Sequence, residues 1–554
     1  MRFRNWLVVL AVFLWAIPCS AQFFGVATYP GDVNGPYVAV FSTKAATAAW
    51  ATGTKPAFDV VVYDGAGVQV GGTTTLNYID GAFEVAKATS LLGPVTLGSP
   101  SASVLPGQYA RQIFISKWYD QSGSNACSGS PCNAVPVAGD TAVINYPVLQ
   151  ILGQTIHVSF GNSFDVGDSR RLKLPDAVAL STQATTVLTV ASQFNTNANS
   201  GGSAIFYTSN DGTSGMGIVR PSDGSNDGTT ARSYSWRTVG ETALIPTHAD
   251  AQALSISAGP STGEIANDLG TASFSPLTLL TGTGFVIGCT DTGSTAASGG
   301  CFHGGIDLLT IKSSYSTPTV TADMRAVASR FFNLNTSPAQ ANLVIEGDSG
   351  VYGYANFFPG ISGSNQGSEN FGTTQMFPAN LKKTVRVNNT ARGGSNYQPG
   401  TGNSIVDRAP RARAMATAQP NATINIAISM PGATPPAPGS ATTAQIGYIE
   451  QYAQALRSTG QTWTVFIGNQ DGSPCATADG IAFDTALRAA SAADVGTNKA
   501  FTVVKLWGLS GVNCLGNLYG IANVISPPAL AHGYSWAIGV NVSDGIAQVN
   551  AVLP

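Results

Sequence analysis

The sequence predicts two domains, an antiparallel β-sandwich of the jelly-roll kind followed by a three-layer α/β domain with a parallel five-stranded sheet. The chain has 554 residues, which is too long for one hydrophobic core. Up to about residue 335, short apolar segments are separated by stretches rich in Gly, Ser, Asn and Asp. Beyond that point apolar strands alternate with amphipathic helices, which is the pattern of a parallel sheet.

The first 21 residues have the layout of a secretory signal peptide. Arg2 and Arg4 precede an uncharged apolar run from Trp6 to Ile17, and Cys19-Ser20-Ala21 supplies the small residues of a cleavage site. The run is shorter than the roughly 20 residues that a membrane-spanning helix needs. We therefore expect a secreted protein, extracellular or periplasmic, without a membrane span.

Residues 22 to 335 are predicted to form the sandwich. The apolar segments here are short and rich in β-branched residues, and turn residues separate them. The first long helix is expected only at Thr319–Phe332. The predicted strands include Phe58–Tyr63, Gln112–Trp118, Thr186–Ala191, Ala204–Tyr207 and Ile306–Ile311.

The α/β domain is expected to span residues 340 to 554, with the boundary near residues 333 to 341. Buried strands and helices follow one another through this region, as parallel pairing requires. The predicted strands are Ala341–Ile345, Thr384–Val387, Ala422–Ser429, Trp463–Ile467 and Phe501–Trp507. The predicted helices between them are Ile405–Ala418, Ala441–Ser458 and Ile481–Ala493.

Composition argues against a nucleic-acid partner. Lys and Arg total 27 against 30 Asp and Glu, and no basic run follows the signal segment. Charged residues make up only 10% of the chain, whereas Gly alone occupies 63 positions. Such a chain is typical of an exported β-rich protein that meets neutral ligands such as glycans.

Six cysteines remain if Cys19 leaves with the signal peptide, and they fall into three pairs that are close in sequence. An even number in an exported chain favours disulfides. Zinc binding is the alternative, but neither a CxxC pair nor a His-rich spacing is present, so we expect no metal and no cofactor. The predicted pairs are Cys127–Cys132, Cys289–Cys301 and Cys475–Cys514.

The first strand of the α/β domain ends in Gly347-Asp348-Ser349-Gly350. In open α/β sheets ligands bind beyond the carboxyl ends of strands, so a small-residue turn there can expose a side chain to substrate. Gly, Asp and Ser are also ordinary turn residues, and the tripeptide alone is a weak signal. Its position makes Ser349 the candidate nucleophile.

A serine hydroxyl needs a base to remove its proton, and His is the usual base near neutral pH. The chain has four His residues, and His157, His248 and His303 belong to the first domain. His532, in the loop after the fifth predicted strand, is therefore the candidate base. Its alternative role is that of a solvated loop residue.

The Gly-Asp-Ser turn, a glycine pair after the second strand and a His near the C terminus together resemble the SGNH hydrolases, a superfamily of esterases, lipases and carbohydrate deacetylases. The resemblance covers roughly residues 340 to 554. It implies ester hydrolysis in which Ser349 attacks the carbonyl and its N–H helps to hold the oxyanion. Asn389-Thr390-Ala391-Arg392-Gly393-Gly394 looks like the family's second block, which implies Gly394 as another oxyanion donor.

The third oxyanion donor and the orienting acid depart from the family pattern. Family order places the donor after the third strand, where Thr434 replaces the expected Asn, but the better letter match contains Gln470 and follows the fourth strand. The family's Asp, three residues before the His, is Ala529 here. Asp544 is a substitute only if its loop folds back, and some family members are thought to work with a Ser-His dyad.

Lys117-Trp118-Tyr119-Asp120-Gln121-Ser122-Gly123 resembles a segment of secreted family 54 α-L-arabinofuranosidases, whose catalytic domain is a concanavalin-like or laminin-G-like sandwich. Ile287-Gly288-Cys289-Thr290-Asp291 also resembles the closing part of that sandwich. The resemblance implies Asp291 as the acid of a retaining glycosidase, which needs a second carboxylate about 5 Å away. The matching stretch, residues 207 to 212, contains no Glu, so a glycan-binding module is the simpler interpretation.

These observations lead to a secreted serine esterase that deacylates a polysaccharide through an acyl-enzyme, with a carbohydrate-binding sandwich in front of it. The sequence leaves three alternatives open: an arabinofuranosidase with a displaced nucleophile, a lipase-like esterase, and a noncatalytic glycan-binding or adhesion protein with two decayed enzyme folds.

Overall fold

The computed structural model describes the two predicted halves of the chain with gaps. The described residues are 28–64, 68–93, 111–137, 145–152, 155–160, 170–175, 184–193, 203–207, 217–220, 233–238, 241–246, 251–274, 285–289, 302, 304–334, 340–347, 385–390, 395–401, 404–417, 419, 422–429, 438–469, 478–495, 499–505, 512–513, 517–518 and 543–553.

A 12-stranded antiparallel sheet is the larger layer of the first half. Its path is β16-β15-β14-β9-β18-β7-β6-β5-β2-β3-β4, and β1 also pairs with β18. The strands are β1 Ala39–Ser42, β2 Thr54–Asp64, β3 Thr74–Ile79, β4 Ala82–Phe83, β5 Arg111–Trp118, β6 Val148–Leu152, β7 Thr155–Ser159, β9 Thr185–Gln193, β14 Gln252–Ala258, β15 Gly263–Ala266, β16 Thr271–Phe274 and β18 Gly304–Lys312.

A six-stranded antiparallel sheet with the order β13-β12-β11-β10-β17-β8 is the second layer. Apolar side chains from both sheets, including Trp118 and Ile256 of the larger and Phe206 and Ile287 of the smaller, belong to one buried core. Two antiparallel sheets that share a core form a sandwich. The strands are β8 Leu172–Lys173, β10 Ser203–Tyr207, β11 Gly217–Arg220, β12 Ser233–Thr238, β13 Glu241–Pro246 and β17 Val286–Ile287.

Two helices accompany the sandwich, α1 at Val85–Leu92 and α2 at Pro318–Phe332. Pro318 is tolerated in the first turn of α2, where its missing N–H would have no partner in any case. The helix ends at Asn333, whose left-handed φ of 53° suits an Asn. Met324 and Ala328 of α2 pack with Leu188 and Leu308, so a second core lies on the outer side of the large sheet.

The second half contains a separate five-stranded parallel sheet, as the sequence predicts. Its order is β20-β19-β21-β22-β23, and all four pairings are parallel. The strands are β19 Ala341–Glu346, β20 Val385–Asn389, β21 Ile424–Ser429, β22 Trp463–Asn469 and β23 Thr502–Lys505. A short antiparallel pair follows, β24 Val512–Asn513 and β25 Asn517–Leu518.

Four helices are described in this half. They are α3 Ala409–Thr417, α4 Ser440–Arg457, α5 Ala478–Ala493 and α6 Ser543–Val552. Residues of α3, α4 and α5 share one core with strand residues such as Val344 and Ile467. Every residue of β19 is buried, which is usual for a parallel strand covered on both faces.

One element prediction needs correction, and one short helix was not predicted. The eight-residue helix α1 is too short to show a clear amphipathic period in the sequence. The helix predicted from Ile405 begins at Ala409 instead, since Pro410 is compatible only with a first turn. Within the described residues, no helix is both long and apolar enough to cross a membrane.

Candidate functional site at the carboxyl edge of the parallel sheet

All five strands of the parallel sheet run in the same direction, but the order in which the chain adds them reverses between β19 and β21. From β19 the chain moves outward to β20, and it then returns to the other side of β19 for β21, β22 and β23. In doubly wound sheets the crevice at such a switch point, beyond the carboxyl ends of the strands, is where ligands bind. Strand β19 ends at Glu346, and Gly347 is the last described residue before the predicted nucleophile.

A buried ion pair lies at this end of β19. Nη2 of Arg408 is 3.0 Å from Oε2 of Glu346, and their side chains are 4% and 0% exposed. The same nitrogen donates a hydrogen bond of 3.0 Å to Oγ of Ser395, in the segment after β20. Arg408 immediately precedes α3, so one guanidinium joins the ends of two strands to the start of a helix.

Thr390 ties the ends of the same two strands together. Its backbone N–H donates to the carbonyl oxygen of Ile345 at 2.8 Å, and its hydroxyl donates to that oxygen at 3.2 Å. Thr390 is fully buried. In addition to the guanidinium of Arg408, these hydrogen bonds of Thr390 hold the carboxyl ends of β19 and β20 together.

The end of β21 is joined to the network by Tyr397. Its hydroxyl donates a hydrogen bond of 2.6 Å to Oγ of Ser429, the residue of β21 that stands beside Glu346 in the sheet. The Tyr397 ring lies edge-on to that of Tyr452 in α4, with 6.2 Å between the ring centroids. Three neighbouring strand ends therefore share one buried polar cluster.

Burial dominates the electrostatics of this cluster. It raises the pKa of the Glu346 carboxyl, and the Arg408 guanidinium and the Thr390 hydroxyl offset part of that rise. Burial also raises the pKa of the Tyr452 hydroxyl well above its usual value, and the nearby Glu346 raises it further. Such groups are costly to bury unless they have partners, so the cluster fixes the geometry of its surroundings.

Most of the residues that the sequence predicts for the site lie outside the described residues. Asp544 lies in the first turn of α6 and not in a loop. This helix packs against β23, and the side chain of Asp544 is not described. The predicted site residues outside the described ranges are Ser349, His532, Gly394, Gln470, Thr434 and Asp291.

Glu346, Arg408 and Ser395 were not predicted from the sequence. A signal was present, because a Glu at the end of a buried strand is costly to bury without a cation. The partner is 62 residues further along the chain, and sequence spacing alone does not reveal it. Among the described residues, no group of three or more His, Cys, Asp or Glu could hold a metal ion.

The motif from Lys117 to Gly123 is structural in the sandwich. Trp118 is fully buried between Phe41 and Phe58, with ring centroids 5.6 and 5.8 Å away, and Nε1 donates to the Ser42 carbonyl at 3.2 Å. The buried Asp120 carboxylate accepts hydrogen bonds from the backbone N–H groups of Val40 at 2.9 Å, Ser122 at 2.8 Å and Cys132 at 3.1 Å. These contacts anchor β1 and the neighbouring loop.

Cys127 and Cys132, paired in the sequence analysis, form a disulfide with Cα atoms 5.1 Å apart. Cys289 is also disulfide-bonded. Cys301, Cys475 and Cys514 lie outside the described residues, so the pairs Cys289–Cys301 and Cys475–Cys514 stay predictions.

His157 and Asp307 form a second polar cluster, on the large sheet, that sequence reasoning missed. Nδ1 of His157 is 2.8 and 3.0 Å from the two carboxylate oxygens of Asp307. Both residues and Lys44 line a cavity of about 200 Å³ beside the end of α2. Nζ of Lys44 donates to the carbonyl oxygen of Phe331 at 3.2 Å and lies 4.9 Å from the ring centroid of Phe332.

Comparisons with known proteins find similarity of fold only. No family model and no curated protein sequence matches the chain. A family 54 α-L-arabinofuranosidase soaked with a cyclic sulfate inhibitor has a TM-score of 0.35 at 14% identity, covering 54% of this chain and 63% of that one. An arabinofuranosidase complexed with arabinofuranosyl-α-1,2-xylobiose has a TM-score of 0.35 at 13% identity, covering 53% and 63%.

A smaller structure is also similar. Domain 4 of AbnA, an extracellular family 43 arabinanase from Geobacillus stearothermophilus in complex with arabinotriose, has a TM-score of 0.27 at 16% identity, covering 37% of this chain and 92% of that one. The chain spans less than two thirds of the two arabinofuranosidases.

Proposed function

We propose that the second half of the chain is a serine esterase of the SGNH kind, acting at the carboxyl edge of the parallel sheet. The observation that carries the proposal is the strand order. It makes β19 a strand of the switch point, and Gly347-Asp348-Ser349 follows β19 directly. A small-residue turn at that position suits a nucleophile that must be open to substrate.

The reaction would be acyl transfer in two steps. His532 accepts the proton of the Ser349 hydroxyl while its oxygen attacks the ester carbonyl. The resulting oxyanion is held by the N–H groups of Ser349 and Gly394 and by a third donor. The intermediate collapses, the alcohol leaves with the proton from His532, and water then releases the acid from the acyl-enzyme.

Strand order bears on the choice between Thr434 and Gln470 as third donor. Thr434 follows β21, which adjoins β19 at the switch point, whereas Gln470 follows β22, one strand further away. The carboxyl ends of adjacent strands are closest, so the topology favours Thr434. A threonine hydroxyl can donate one hydrogen bond, which is sufficient for this role.

The proposed substrate is an acylated polysaccharide held in part by the sandwich. A chain with only 10% charged residues suits a neutral, hydroxyl-rich ligand better than a charged one. The solved structures with similar strand arrangements are described as an arabinofuranosidase and an arabinanase domain in complex with sugars. The proposed glycan and acyl group are inferred from the neighbouring sandwich domain and not from the geometry of the site.

Arabinofuranosidase activity of the sandwich is the second candidate, and one observation weighs against it. The stretches that resemble the glycosidase site follow the paired strands β10 and β17. The stretch after β10, residues 207 to 212, contains no Glu that could act as the nucleophile. A retaining glycosidase needs both carboxylates within about 5 Å.

The test uses the full chain and its Ser349→Ala and His532→Ala variants. We expect wild type to hydrolyse p-nitrophenyl acetate and to release acetate from acetylated xylan. Either substitution should reduce turnover by about 10⁴-fold or more, because the two residues act as one unit. Ser349→Ala should leave thermal unfolding unchanged.

Full activity in Ser349→Ala would overturn the proposal. Release of arabinose from an aryl arabinofuranoside by Ser349→Ala, with its loss in Asp291→Asn, would move the chemistry to the sandwich.

A further inference from the structure

We propose that Arg408 is a positioning residue that sets the spacing between the loop of the nucleophile and the loop of the oxyanion glycine. This inference rests on the proposed esterase function. Its basis is a single nitrogen, Nη2, that lies 3.0 Å from Oε2 of Glu346 and 3.0 Å from Oγ of Ser395.

The two residues that accept hydrogen bonds from Arg408 adjoin the two loops in the sequence. Glu346 precedes Ser349 by three residues, and Ser395 directly follows Gly394. Because Nη2 of Arg408 holds both Glu346 and Ser395, it limits how far the nucleophile and the oxyanion donor can move apart.

A guanidinium is suited to this double contact. Its terminal nitrogen carries two N–H donors in a fixed plane, so both acceptors receive a directed hydrogen bond. A Lys at the same position would supply the charge, but its flexible ammonium group ends on a shorter stem and carries no planar fork. Arg408→Lys therefore separates the geometric contribution from the electrostatic one.

Other contacts hold the strand ends independently of Arg408, although removing its charge leaves Glu346 buried without this partner and lowers stability. Thr390 holds the end of β20 to Ile345, and Tyr397 is bonded to Ser429 of β21, and neither contact involves Arg408. Loss of the guanidinium should then loosen the loops without releasing the strands.

Looser spacing should affect the transition state more than the bound substrate. The oxyanion forms only during the reaction, and a misplacement of about 1 Å can cost on the order of 10²-fold in rate. We therefore expect a fall in kcat with little change in KM. A purely structural defect would instead lower the active fraction and leave kcat per folded molecule unchanged.

The experiment compares Arg408→Lys and Arg408→Met with the control Arg413→Lys in the full chain. Arg413 lies in α3, the helix that Arg408 precedes, and its Nη1 donates to Ala455 and Ser458 away from the strand ends. Hydrogen–deuterium exchange is followed in peptides covering residues 343–350 and 388–396. Steady-state kinetics with p-nitrophenyl acetate give kcat and KM.

We expect both Arg408 variants to exchange faster in both peptides, with kcat reduced on the order of 10²-fold in Arg408→Met and less in Arg408→Lys. Arg413→Lys should match wild type. Unchanged exchange in either peptide would overturn the positioning role whether or not the protein is an esterase. Faster exchange in both peptides, together with wild type that fails to turn over esters, would support the positioning role and overturn the proposed reaction.

Discussion

His157 and Asp307 are in contact at the point where the strand paired with one edge of β18 changes from β7 to β1. Gly305 and Ile306 pair with β7, whereas the stretch from Leu308 to Ile311 pairs with β1. On the other edge of β18, the pairing with β9 shifts register between Ile306 and Leu308, so Asp307 is the bulged residue of that pairing. Its carboxylate is 5% exposed, and His157 gives that buried charge a partner.

The His157–Asp307 pair should make stability depend on pH. Burial lowers the pKa of His157 and Lys44 lowers it further, but the Asp307 carboxylate raises it by more, so it lies above its ordinary value. A pKa raised by folding contributes stability that is fully present below the unfolded value of about 6.5. This contribution disappears as pH rises through the folded pKa.

Asp307→Asn should therefore destabilise the protein more at about pH 5.5 than at about pH 8.5, on either side of the ordinary His pKa. Thermal unfolding of wild type and variant at the two pH values measures the difference. His157→Asn should show the same trend, since it removes the other partner. An effect that is equal at both pH values would contradict the role of the charged pair.

At the scale of elements, the segment from Lys117 to Gly123 connects strands that are distant in the chain. Trp118 ends β5 and donates a hydrogen bond to the carbonyl of Ser42, the last residue of β1. Asp120 and Gln121 accept hydrogen bonds from the backbone N–H groups of Val40 at 2.9 Å and Ala46 at 2.7 Å. Buried side chains that satisfy backbone groups fix the position of the strand they bind. The motif therefore sets how β1 joins the large sheet.

Trp118→Ala should destabilise the sandwich by about 3–5 kcal/mol, because it opens a cavity in the core and removes the bond to Ser42. Urea unfolding monitored by circular dichroism measures the loss. Val68→Ala, at a side chain that is 59% exposed, serves as the control and should change stability by less than about 0.5 kcal/mol. A loss below about 1 kcal/mol for Trp118→Ala would contradict this role, since buried large-to-small changes cost more.

At the scale of the whole molecule, one ion pair joins the sandwich to the α/β half. Nη2 of Arg386, in the edge strand β20, donates to Oδ2 of Asp268 at 2.9 Å. Asp268 lies in the turn between β15 and β16, and the side chains are 2% and 18% exposed. Because the Arg386 side of the pair is buried, removal of the Asp268 carboxylate is costly.

The Arg386–Asp268 pair should couple the unfolding of the two halves. Arg386→Met and Asp268→Asn should each lower the temperature of the main calorimetric transition and separate it into two. The double variant should lose less than the sum of the singles, by about 0.5–3 kcal/mol, as for residues in contact. Strict additivity would show that the ion pair does not link the two halves.

Sequence alone predicted all five strands of the parallel sheet and some of the strands of the sandwich, but not the contacts between them. Buried runs such as Ile306–Ile311 and Ala341–Ile345 indicate strands because their apolar content and length leave few alternatives. Glu346, Arg408 and Ser395 were not found, because their contacts depend on three loops that meet only in the folded sheet. His157 and Asp307 are 150 residues apart and were missed for the same reason.

Periodicity and composition by themselves determined that an antiparallel half precedes a parallel half, because hydrophobic spacing is a local property that burial imposes on each element. They also placed Gly347-Asp348-Ser349 after the first parallel strand. The tertiary structure decided the order β20-β19-β21-β22-β23, and with it which loops adjoin that turn. Strand order is set by how distant elements bury one another's faces, and a single sequence does not record those contacts.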